Sequence, residues 1–155
     1  MRSSLHAVPL LLATLVLPAC GDAGRGDLPE LPASAAAAEP ADAMRVLIVE
    51  PAEGATVEGP VVRVVLEVGG LRVVPAGDTS EGSGHHHLFL DADVSDAGAP
   101  IPSVPGSVVH MGDGSTEYAF EGLGPGEHRL IAVVGDGAHV PLDPWVVDTV
   151  RFTVR

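Results

Sequence analysis

From residue 44 onward the chain is written in short β-branched runs broken by Gly, Pro or Asp. No stretch of it carries the 3.6-residue apolar period of an amphipathic helix. The densest run, residues 61–68 (VVRVVLEV), sets Arg63 and Glu67 among valines in the alternation of a strand with one face toward solvent. Residues 45–50 (RVLIVE), 85–91, 108–111, 116–120, 127–134 and 145–154 read as further strands, with 71–74 as a short edge segment. Between them stand turns such as Pro51-Ala52-Glu53-Gly54 and the corner Leu123-Gly124-Pro125-Gly126. About seven short strands over residues 45–155 predict an all-β fold, an immunoglobulin-like antiparallel β-sandwich. With only 3% aromatic residues, Val, Leu and Ile must fill its core. Trp145, Phe89, Phe120 and Phe152 are the expected large anchors.

The first residues predict a location. Arg2 followed by the apolar residues 7–17 has the form of a signal peptide, expected over residues 1–19, and is too short to span a bilayer. It ends in Leu17-Pro18-Ala19-Cys20, which resembles the lipobox of bacterial lipoproteins, although Pro18 departs from the small residue usual there. That resemblance implies lipidation at Cys20 and a lipid anchor in the cell envelope: on the periplasmic face of the inner or outer membrane, or at the cell surface. Gly21, rather than aspartate, follows the cysteine. Residues 20–44, rich in Ala, Pro and acidic side chains and without an aromatic, read as a disordered tether. Cys20 is the single cysteine, so no intramolecular disulfide is available, and the fold depends on its core or on a metal. A net charge of −13 excludes nucleic acid as a partner and disfavours electrostatic attachment to anionic lipid, leaving the acyl chains as the membrane contact.

Six histidines follow the signal segment: His85, His86, His87, His110, His128 and His139. The triplet opens a strand, and the two-residue period puts His85 and His87 on one face and His86 on the other. If the strands alternate direction, the start of the 85–91 strand, the end of the 108–111 segment and the loop after the 127–134 strand all lie at one end of the sandwich. His128, beside the Gly-Pro-Gly corner, lies at the opposite end and reads as structural. A His-x-His pair on a strand is a workable chelate. His110 and His139 supply further nitrogens, with His86, Asp136 and Asp143 as a second tier. This donor set suits Zn(II) or Cu(II). Met111, next to His110, points the other way in extended backbone. The plainer reading is that the histidines hydrogen-bond carbonyls and order the loops.

Several segments together resemble the bacterial extracytoplasmic domain of unknown function 4399. They are residues 51–57 (PAEGATV), 74–77 (VPAG), 82–88 (GSGHHHL), 110–117 (HMGDGSTE), 123–128 (LGPGEH) and 135–141 (GDGAHVP). The resemblance covers about residues 46–154. It implies no activity, since the family's role is not established. At Leu142 the chain departs from members that place histidine there, so a site using that position is one ligand short.

Catalysis is not expected: there is no G-x-S-x-G, no H-E-x-x-H, no free thiol and no phosphate loop, and Glu117 is a lone candidate base. Asp91 and Asp93 read as caps on the turn after their strand. The expected function is that of a lipid-anchored envelope binding protein that captures Zn or Cu at a histidine-rich end. The alternative is a non-catalytic adhesion or scaffolding module whose histidines are structural. The sequence names no protein partner.

Overall fold

A computed structural model describes residues 43–155. The expected signal peptide, the lipidation at Cys20 and most of the tether lie outside the described residues. Among the described residues the protein is all-β, with no helix long and apolar enough to cross a membrane.

Nine strands are formed: β1 Arg45–Glu50, β2 Thr56–Val57, β3 Val62–Gly69, β4 Arg72–Val73, β5 Ser83–Leu90, β6 Val108–Met111, β7 Glu117–Phe120, β8 Gly126–Gly135 and β9 Val147–Val154. The smaller sheet runs β1-β3-β7 and the larger β2-β9-β8-β5-β4, with β6 also paired to β5. The two strands beyond the expected seven are two-residue pieces, and both pair in parallel, β2 with β9 and β4 with β5. β4 lies within the short edge segment expected over residues 71–74, whereas the brevity of β2 hides it from any periodicity.

Alternation sets the core. Val46 and Ile48 of β1 and Val62, Val64 and Leu66 of β3 turn inward from the smaller sheet. Leu88, Leu130, Ala132, Val150 and Phe152 meet them from the larger one in a single buried cluster. Arg63, on the outward face of β3, bridges Glu50 and Glu117 at 3.0 Å each. Phe89, Phe120 and Phe152 are buried as expected, whereas Trp145 is only half-buried and its neighbour Val146 enters the core.

The larger sheet is covered on its outer face as well. Phe89, Val108, Ile131 and Val133 form a second apolar cluster there, closed over by Ile101 from the long 91–107 segment. β5 is therefore buried along its whole length. Polar side chains on such a strand have no route to solvent.

Candidate metal centre

The register of the larger sheet fixes where the histidines go. His87 stands opposite Val133 of β8 and opposite His110 of β6, and His85 stands opposite Gly135. His85, His87 and His110 thus share the outer face of the sheet, continuing the row of Phe89 and Val108. His139 arrives from the loop that follows β8. This loop is closed by Asp136. Its Oδ1 accepts the amides of Ala138 (2.8 Å) and Val140 (2.9 Å), and its carbonyl accepts the His139 amide at 2.9 Å. His139 itself is held at φ +68°, a left-handed conformation that L side chains rarely adopt. Its carbonyl accepts the amide of Ile101 at 2.8 Å, tying the loop to the segment that covers the second apolar cluster.

The four imidazoles converge. All six ring pairs lie between 4.6 and 5.7 Å, and one nitrogen from each of the four lies within 4.8 Å of the others. Nε2 of His110 and Nε2 of His139 are 3.1 Å apart. At that distance the two rings share a hydrogen bond, and the spacing is also close to the about 3.3 Å that separates two nitrogens bound to one ion at about 2.0–2.1 Å in tetrahedral array. His85 and His87 are fully buried, and neither ring nitrogen of either residue has a hydrogen-bond partner. Burial of polar nitrogens without partners costs about 1–3 kcal/mol for each group left unsatisfied.

Burial and mutual repulsion favour the neutral form at three of the four rings. Burial, reinforced by His110 and His139, pulls the His85 ring down to about 4. Burial and the three neighbouring histidines of the cluster take His87 down to about 3. Burial and then His139 lower His110 as well. Neutral imidazole is the form that donates a lone pair to a metal.

The second-tier candidates fall elsewhere. His86 turns to the inter-sheet face, where Nδ1 lies 3.1 Å from the Ser115 carbonyl and Nε2 is buried without a partner. Asp136 spends Oδ1 on its own loop, and Asp143 is exposed before a cis proline; neither joins the converging donors. Met111 faces the main core, as its parity requires. Leu142 packs against that same core. Glu117 belongs to the smaller sheet, its carboxylate held by Arg63.

Two glycines that the sequence reading passed over make room for the cluster. A β-carbon on Gly135 would stand 2.9 Å from Cε1 of His87, and one on Gly112 would overlap the His110 ring. Their signal was a glycine directly opposite His85 and another two residues beyond His110, but only strand register reveals either.

A family model described as a domain of unknown function, DUF4399, matches residues 64–155. The chain belongs to the DUF4399 family. The matched span holds all four converging histidines and both glycines that clear space for them, whereas β1 of this DUF4399 protein precedes it. The comparison with curated proteins gave no match. Among solved structures, the crystal structure of an engineered protein is similar at 14% identity and a TM-score of 0.41, over 75% of this chain and 21% of that one.

Proposed function

We propose that this domain captures a transition metal ion, Zn(II) or Cu(II), with His85, His87, His110 and His139 as its ligands, and that it does so without turning over a substrate. One observation carries the reading: His85 and His87 bury four imidazole nitrogens with no partner in a cluster whose other two rings supply further nitrogens. A histidine that merely ordered a loop would hold a carbonyl. The donor set is entirely nitrogen, with no thiolate and no carboxylate, which suits these ions. The apolar row of Phe89, Val108 and Val133 beside the cluster keeps water from the buried side. The lipobox-like Leu17-Pro18-Ala19-Cys20 and the acidic tether support a lipid-anchored position in the cell envelope.

The test is thermal unfolding of the full-length protein without a histidine tag, titrated with Zn(II) and with Cu(II). A ligand at a hundredfold excess over its Kd stabilises the native state by about 2.7 kcal/mol. For a domain of this size that raises Tm on the order of 10 °C. The paired variant His85→Ala/His87→Ala should show no such rise. An unmoved Tm at micromolar metal in the parent protein would return the histidines to a scaffolding role.

A further inference from the structure

Resting on the metal reading above, we infer that the centre selects by oxidation state: it retains divalent ions and surrenders Cu(I). Two independent features of the site lead there.

The first is the absence of any soft donor from the cluster among the described residues. Among the described residues the sulfur-bearing side chains are Met44 and Met111. Met44 is an exposed residue just before β1. Met111 adjoins His110 in sequence, yet strand alternation turns it to the opposite face, where it is 3% exposed and packed in the main core opposite His86. Its thioether is thus fenced off from the four nitrogens by the sheet itself. Thioether and thiolate favour Cu(I), whereas imidazole sets favour the divalent ions of this series, with Cu(II) at the top of the affinity order.

The second feature is charge. The four ligands are neutral imidazoles, so the only negative charge available to the ion comes from its surroundings. Asp136 and Asp113 lie close enough to act electrostatically on His85 and His110 respectively, and the whole chain carries a net charge of −13. Coulomb attraction scales with the charge of the ion, so each carboxylate holds a dication twice as strongly as a monocation. Both features act in the same direction. A one-electron reductant of the ascorbate class, converting Cu(II) to Cu(I), therefore releases the ion by breaking only metal–nitrogen bonds.

The experiment uses the full-length, tag-free protein loaded separately with Zn(II) and Cu(II), then held without oxygen against ferrozine as a Cu(I) chelator. Before ascorbate is added, both ions are expected to stay bound. After ascorbate, the copper should pass completely to ferrozine while Zn(II) remains. The variant His110→Met exchanges one rim nitrogen for a thioether at a position that reaches solvent. It is expected to keep Cu(I) under the same competition and to bind Zn(II) at least about tenfold more weakly. If the parent protein holds Cu(I) against ferrozine as well as His110→Met does, the selectivity inference fails while metal capture stands. If neither Zn(II) nor Cu(II) binds at all, both fail together.

Discussion

His128 and the four-histidine cluster occupy opposite ends of the larger sheet, and the same side chain meets opposite surroundings there. At the His128 corner both ring nitrogens have acceptors: Nδ1 lies 2.7 Å from Oδ2 of Asp91 and Nε2 lies 2.9 Å from the Gly124 carbonyl. The ring stacks on Phe152 at 5.5 Å. Burial pulls its proton affinity down, but the bonds to Gly124 and Asp91 together outweigh burial and raise it. At the other end His85 and His87 have no acceptor at all, and their proton affinity falls. A histidine that serves the fold is recognised by finished hydrogen bonds. One that awaits a ligand is recognised by their absence in a buried, convergent group.

The sharpest way to break this contrast is to cross the two ends. His87→Ala should abolish the metal-induced rise in Tm, on the order of 10 °C at hundredfold excess of metal. His128→Ala should leave that rise intact while lowering the metal-free Tm, since it removes two hydrogen bonds and a ring contact that together contribute about 1–3 kcal/mol. Differential scanning calorimetry of both variants, with and without Zn(II), reads all four values. A metal response lost in His128→Ala would show that the corner and the cluster are not separate devices.

The next effect is smaller and concerns how the fourth ligand is held. Asp136 acts on the cluster through the loop it closes, as a positioning residue. Removing such an outer partner costs about 10–100-fold in metal affinity. Asp136→Ala should therefore weaken Zn(II) binding by that factor in a competition titration. Asp136→Asn keeps a carbonyl oxygen where Oδ1 now accepts two amides but gives up the negative charge, and its affinity should fall between those of the parent and Asp136→Ala. Equal losses in the two variants would mean that the carboxylate charge, rather than the loop, is what matters.

How much of this was legible in advance follows from which physical rule governs each residue. Parity alone separates His85 and His87 from His86, because a two-residue period admits no other outcome on a strand. Chain direction brings His110 and His139 to the same end, and the observed antiparallel pairing of β5 with β6 and β8 delivers them there. The role of Asp136 was not legible: as a carboxylate beside a histidine it reads as a ligand, and only the loop's hydrogen bonds show its oxygen spent on amides. Gly112 and Gly135 were hidden for a related reason, since a glycine in sequence announces a turn and only register reveals that it faces a ring. Trp145 misled by its size. It begins the final segment before β9 starts at Val147, where alternation has not yet fixed an inward side.

The smallest effect, and the finest test of the contrast, is the pH dependence of the corner. His128 has a proton affinity raised above the value of about 6.5 that it has in the unfolded chain. A group of this sign binds its proton more tightly in the native state, so its stabilisation is fully present below about pH 6.5 and fades as pH climbs through the raised native value. His128→Gln has no proton to gain in this range. The stability of the parent minus that of the variant should therefore be larger at pH 5.5 than at pH 8.5. Taking this difference cancels the cluster's own titration, which both proteins share. The change should stay under about 1 kcal/mol, because Asp91 is half-exposed and solvent screens the pair. Urea unfolding of the metal-free proteins at the two pH values measures it. A difference that is flat with pH would mean that His128 holds only one of its two partners as a donor. The corner would then no longer be the finished counterpart against which the cluster is judged.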